Sequence, residues 1–152
     1  MMRALVRRVL SASVSVDGLT IGEINRGLLV FLAVHKDDDD SDLGWISQKI
    51  IGMRVFDDEE QKMNISLVDK KYDLLVISQF TLFGSLRKGF RPSFNHAANQ
   101  EFAIAKYHKF LQIISEKCMG RVASGEFGSD MKIHSIDDGP VSLWLDSKEK
   151  NY

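Results

Sequence analysis

The strict alternation of residues 3–16 constrains the fold of this chain more than any other feature. Ala4, Val6, Leu10, Ala12, Val14 and Val16 fall on one face, and Ser11, Ser13 and Ser15 on the other. A period of two held this long predicts one long β-strand with a buried face. Arg8 is the misfit, because the alternation sets it on the apolar face between Val6 and Leu10. A buried guanidinium must be paired or hydrogen-bonded, since burying a lone charge is costly. Its forked donors suit backbone carbonyls. The competing reading is a twist or bulge that returns Arg8 to solvent.

Further elements follow from local signals. Asp17-Gly18 is a hairpin turn signal, leading into a second strand over residues 19–24. After Gly27, residues 28–34 are wholly apolar, as are residues 74–77. Such runs read as strands buried on both faces. The acidic stretch 37–40 gives way to Leu43, Ile46, Ile50 and Met53 at helical spacing, so these aspartates read as a helix start and not as a metal site. Short strands are expected around residues 54–56 and 65–68. A second helix is expected over residues 100–119, with Asn99 as N-cap, Gly120 as stop and the stripe Ala103, Tyr107, Phe110, Leu111, Ile114, Cys118. Strands near 131–136 and 141–145 close the chain. Many strands with two main helices in segregated runs predict an α+β fold. Its core is a sheet or barrel, with the helices packed outside.

The 152 residues suit a single domain spanning 1–152. Cys118 is the sole cysteine, which excludes an internal disulfide and points to a reducing, cytoplasmic setting. No apolar run is long enough to span a membrane, and arginines interrupt the N-terminal one, so neither a membrane partner nor a signal peptide is expected. A formal charge of −1 argues against holding nucleic acid mainly by bulk charge, but not against gripping the end of an RNA in a small pocket.

The usual catalytic signatures are missing: no G-x-S-x-G, no H-E-x-x-H, no P-loop and no dinucleotide fingerprint. His35, His96, His108 and His134 lack ligand spacing, so no metal or cofactor is expected. Two segments remain. Ser78-Gln79-Phe80-Thr81-Leu82 brings polar groups in abruptly at the end of a buried strand; it either lines a site or satisfies a local turn. Asp137-Asp138-Gly139-Pro140-Val141-Ser142 is either an ordinary turn or a rigid steric gauge. In the second reading Gly139 leaves room for close approach to a ligand. Arg87, Lys88 and Arg91, interleaved with Phe90 and Phe94, suit either RNA contact or a solvated loop.

These residues carry a resemblance over nearly the whole chain. Arg8-Val9 with Ala12-Ser13-Val14, Gly22-Glu23-Ile24, Lys62-Met63-Asn64, Ser78-Gln79-Phe80-Thr81-Leu82, Arg91-Pro92-Ser93-Phe94 and Asp138-Gly139-Pro140-Val141 resemble the D-aminoacyl-tRNA deacylase family. The resemblance implies a homodimer with sites at the interface, and the aminoacylated 3′ end of tRNA as the other partner. It implies that Gly139-Pro140 is cis and reaches into the partner's site. There it would hold the substrate's amino group and α-hydrogen, so that an L side chain collides while a D side chain, or glycine, does not. Arg8 would anchor the Gly-Pro segment of its own chain or its partner's. Phe127 and Met131 would bed the terminal adenosine. The Gln79 to Thr81 backbone, next to Ser78, would face the scissile ester and stabilise the oxyanion. Thr81 has no evident base beside it, so it would position or donate while water attacks. Two positions depart from the family: Asp137 for its usual Asn, and Ser142 for its usual Thr. The alternatives are a relative with a trans Gly-Pro pair acting on certain L-aminoacyl-tRNAs, and an RNA-binding module without catalysis.

Overall fold

The computed structural model describes residues 1–151. Its first strand, β1 (Arg3–Val16), is as long as the alternation requires. Asp17 and Gly18 both take positive φ (50° and 79°), the geometry of a tight hairpin turn, and β2 (Leu19–Ile24) returns antiparallel along the second half of β1. β3 (Gly27–Ala33) pairs antiparallel with the first half. β6 (Asp73–Ser78) runs parallel to β3, and β7 (Val122–Ser124) parallel to β6. β4 (Phe56–Asp57) and β5 (Met63–Ile65) form a separate two-stranded ribbon. The last strand, β8 (Lys132–Asp146), covers the remaining edge of β1.

The main sheet curls until β7 meets β2. A Cβ added to Gly22 on β2 would lie 2.9 Å from the Ser124 carbonyl oxygen, so glycine permits that approach. Arg121 also donates to the Glu23 carbonyl at 3.3 Å. The result is a nearly closed barrel with two apolar regions. Val9, Ala12, Val14, Leu29, Leu75 and Ile77 fill its interior. Leu28, Val30, Leu32, Leu74 and Val76 point the other way, against the helices. The central strands are therefore apolar on both faces because each face has its own cover.

The helices α1 (Asp40–Gly52) and α3 (Gln100–Lys117) pack outside the barrel. Asp39 caps α1 reciprocally with Asp42: its carboxylate accepts from the Ser41 and Asp42 N–H groups, and Asp42 accepts from the Asp39 N–H. The acidic run thus serves as a helix start, as its composition suggested. Asn99 caps α3 by accepting from the Phe102 N–H at 2.9 Å. α3 ends at Lys117, two residues short of expectation. Gly120 follows with its Cα tight against the Tyr72 carbonyl, where a Cβ would come within 2.1 Å of oxygen. Cys118 sits at the C-cap, half-buried against the core, with burial raising its thiol pKa.

Three expectations need correction. Val68 does not extend a strand; Ser66 caps a short helix there, α2 (Leu67–Lys70), by accepting from the Asp69 N–H. Leu10 does not join the buried face. Val9 pairs with Asp137 and Ser11 with Ile136, so Leu10 is an unmatched residue that bulges outward, and Val9 is buried in its place. Residues 131–136 and 141–145 are not two strands joined by a turn. All but Met131 belong to the single strand β8, whose middle is displaced by a larger bulge. Among the described residues no helix is long and apolar enough to cross a membrane.

Candidate functional site

The parallel pairing of β3 and β6 sets the position of the Ser-Gln segment. At the end of β6 the Gln79 N–H donates to the Leu32 carbonyl at 2.8 Å, which ties the exit of one strand to the other. The chain then tightens into a 3-10 turn, Phe80–Phe83. The first N–H groups of such a turn, those of Phe80 and Thr81, have no acceptor within it. The Gln79 side-chain amide donates to Thr81 Oγ1 at 2.5 Å. With that oxygen accepting, the threonine proton is left to donate outward.

The facing wall is the segment after β7. Its start is fixed by the Gly125 N–H, which donates to the Val76 carbonyl at 3.0 Å. The same carbonyl accepts from the Tyr107 hydroxyl at 2.9 Å. Burial pushes the Tyr107 pKa up to about 12, so it remains a donor. Tyr107 also meets the Phe127 ring edge-on at 6.0 Å. Met131 lies over Gly125, where a Cβ would sit 2.5 Å from the Met131 sulfur. Between the walls is a cleft of about 490 Å³, lined by Ser78, Gln79 and Phe80 on one side and Phe127 and Met131 on the other. That volume falls in the range of small-molecule sites, roughly 300–1,000 Å³.

Arg8, Gly139 and Pro140 lie elsewhere. In β8, Ser142 pairs with Arg7 and Asp137 with Val9, so residues 138–141 bulge out opposite Arg8 alone. Arg8 is buried under this bulge and props it. Its Nε donates to the Asp138 carbonyl at 3.2 Å, and its Nη1 donates to the Val55 carbonyl at 2.7 Å. The Asp57 and Asp138 carboxylates, at 3.5 and 3.4 Å, balance its charge. A bulge does occur beside Arg8, but it does not return it to solvent. The Gly139–Pro140 peptide is cis, and Gly139 takes φ +122°. Both residues are exposed. Asp137 forms an ion pair with Arg7 across the strands.

The structure therefore gathers Ser78, Gln79, Phe80, Phe127 and Met131 into one cleft, with Thr81 on the same turn but outside its lining. It gathers Arg8, Gly139 and Pro140 into a second cluster that does not line that cleft. Sequence reading missed Gly125 and the hydroxyl role of Tyr107. Gly125 carried no signal beyond being a glycine, and Tyr107 read as one more member of a helical stripe. Among the described residues no group of three or more His, Cys, Asp or Glu side chains is placed to share a metal ion.

Fold and cleft define a small α+β protein in which the end of a buried strand and the turn after it form one wall of a cleft whose other wall carries an aromatic ring and a thioether. The chain belongs to the D-Tyr-tRNA(Tyr) deacylase family, whose model matches residues 5–146. A D-aminoacyl-tRNA deacylase of Clostridium botulinum strain Loch Maree (Type A3) is 48% identical over 148 residues, covering 97% of this chain and 99% of its own length. One from strain Eklund 17B (Type B) is 49% identical over 151 residues, covering 99% and 100%. Among solved structures, a c-Myc DNA unwinding element binding protein superposes with a TM-score of 0.89 at 38% identity, over 95% of this chain and 97% of that one. A probable eukaryotic D-amino acid tRNA deacylase superposes with a TM-score of 0.81 at 18% identity, over 95% and 98%, a likeness of fold.

Proposed function

We propose that this protein hydrolyses the ester joining a D-amino acid to the 3′ end of tRNA, and the glycyl ester as well. The observation that carries this reading is the cleft, in which Ser78, Gln79 and Phe80, where β6 runs into the 3-10 turn, stand across from Phe127 and Met131. The terminal adenine lies on the Phe127 ring and the Met131 thioether. The ester carbonyl then points at the N–H groups of Phe80 and Thr81. Water adds to the carbonyl carbon and gives up a proton. The tetrahedral oxyanion is held by those N–H groups. The bond from carbon to the ribose oxygen breaks, and that oxygen leaves with a proton, yielding a free amino acid and tRNA. Thr81 positions the ester or donates a proton and is not the nucleophile. An aminoacyl ester is already reactive, so placement and oxyanion stabilisation supply the catalysis, with no cofactor or metal assigned a part.

Chirality is read by a second subunit. The long edge of β8 pairs only with β1 among the described strands, and exposes Ile136, Leu143 and Trp144. A long apolar strand edge of this kind needs cover, and a two-fold copy supplies it. The same strand carries the exposed Gly139-Pro140 bulge, which in the homodimer enters the partner's cleft. There it leaves no space for an L side chain beside the amino group and α-hydrogen. Glycine passes because it has nothing to exclude.

The test is ester loss from D-Tyr-tRNA and L-Tyr-tRNA under identical conditions, without added metal. Hydrolysis of the D ester alone is expected. Hydrolysis of the L ester would assign the protein to L-aminoacyl-tRNA deacylation. No hydrolysis of either by folded protein would leave a nucleic-acid-binding module.

A further inference from the structure

The segment after the 3-10 turn has no part in the chemistry just described. The Ser85 N–H donates to the Ser93 carbonyl at 2.9 Å, and the Ser93 N–H returns a bond to Ser85 at 3.0 Å. These two bonds pinch off residues 86–92 as a finger, every residue of which is exposed. Gly89 turns its tip with φ +102°. Arg87, Lys88 and Arg91 project from it, and none of them pairs with a carboxylate among the described residues. No Asp or Glu lies between Asp73 and Glu101, although the chain carries 21 acidic residues. Phe90 is fully exposed at 103%. An unpaired aromatic between free cations has no reason to stand in water on packing grounds.

The base of the finger is joined to the cleft. Phe94, just past the pinch, meets the Phe80 ring edge-on at 5.1 Å and packs beneath Gly84. Phe80 itself lines the cleft. A polyanion whose end is seated in that cleft must leave it past one rim or another, and this rim carries positive charge with no acidic neighbour in sequence.

We propose that the finger 86–92 is an RNA-backbone clamp that grips the acceptor arm of the tRNA outside the cleft. This rests on the deacylase reading of the cleft. Arg87, Lys88 and Arg91 neutralise phosphates of the strand leading to the 3′ end, releasing counterions. Phe90 offers its face to an unstacked base or the ribose edge. A near-neutral protein thus obtains its RNA affinity from one local patch instead of from bulk charge.

The test uses the full chain and two substrates: D-Tyr-tRNA, and the same D-tyrosyl ester on the trinucleotide CCA, which lacks the acceptor-stem phosphates that the finger would grip. In the double variant Arg87→Gln/Lys88→Gln, kcat/KM on D-Tyr-tRNA should fall about tenfold at moderate salt, while kcat/KM on the trinucleotide ester stays within about twofold. The slope of log(kcat/KM) against log[salt] for the tRNA substrate should flatten by about 2, one for each phosphate contact removed. Phe90→Ala should lower kcat/KM on the tRNA about fivefold, again sparing the trinucleotide. Equal losses on both substrates would overturn the clamp and make the finger a support for Phe80. Unchanged kinetics on both would overturn it as well. So would dissociation of the dimer in Phe90→Ala, which would make the finger a subunit contact. If the parent protein hydrolyses neither ester, the deacylase reading fails. Binding of uncharged tRNA to parent and double variant, followed by fluorescence anisotropy across salt, then decides the clamp by the same difference in slope.

Discussion

Replacing Arg8 with methionine should destabilise the fold by about 3 kcal/mol, most of it from one lost bond. Arg8 is 7% exposed, and its shortest bond, 2.7 Å, is to the Val55 carbonyl. A buried carbonyl that loses a charged donor costs about 2 kcal/mol. The Asp138 carbonyl, at 3.2 Å and partly exposed, adds about 1. The two carboxylates are solvated (49% and 36% exposed) and together add at most about 1. Methionine returns about 1 by removing a buried charge and partly filling its space. A domain of this size has roughly 5–15 kcal/mol to lose, so the variant should stay folded, with Tm lowered by about 6–12 °C. Arg8→Lys should lose about half as much, because a point charge can satisfy one carbonyl but not the fork. Urea denaturation followed by circular dichroism, at fixed protein concentration, measures both. A loss below about 1 kcal/mol for Arg8→Met would refute the reasoning, because it would mean that water already serves Val55 and Asp138.

Gly139→Ala should cost about 1–3 kcal/mol from its φ of +122° alone. Its Cβ would also lie 3.0 Å from the Val141 nitrogen and 3.1 Å from Arg8 Nη2, so D-Tyr-tRNA hydrolysis should fall at least about tenfold, as read by single-turnover kinetics. Gly125→Ala should act mainly on the adenine bed, although its Cβ would also press on Ile77 Cδ1 at 3.1 Å. Its Cβ would sit 2.5 Å from the Met131 sulfur and displace that flexible side chain, raising KM by about tenfold with kcat nearly unchanged in steady-state assays. Asp40 accepts from Lys106 and then Lys109 across α1 and α3, which holds its pKa down to about 2. Because that folded value is below the unfolded one, its contribution is complete above about pH 4 and is lost as pH falls toward 2. Parent and Asp40→Asn proteins should therefore differ in denaturation midpoint near neutrality and converge at the acid end.

What the sequence made legible, and what it hid, divides along a physical line. β1, the β1–β2 turn, both capped helices and the two all-apolar strands were readable because period, caps and turn residues are local signals. Leu10 and the continuous β8 were not, because a bulge is a property of two strands and the alternation of one strand cannot reveal where its partner slips. Arg8 lies between these cases. Its misfit in the pattern was visible, yet Val55 and Asp57, two of its partners, come from the far side of α1 and could not be named. The same distinction governs the site. Ser78 to Thr81 could be picked out by the abrupt change from apolar to polar, while Gly125 acquires meaning only when Met131 folds over it. The gap between the cleft and Gly139-Pro140 is the feature with the widest consequence. Gly139-Pro140, the gauge of chirality proposed above, does not line the cleft of its own chain; it stands exposed on an edge of β8 that no other described strand covers, propped by the buried Arg8. Investing a buried charge in stiffening an exposed bulge makes sense when the bulge works against a surface the chain itself does not provide. A mixed dimer offers a direct check: a subunit carrying Gly139→Ala paired with one carrying a disabled cleft should retain no intact site in one half of the molecule and one complete site in the other only if the bulge acts across subunits.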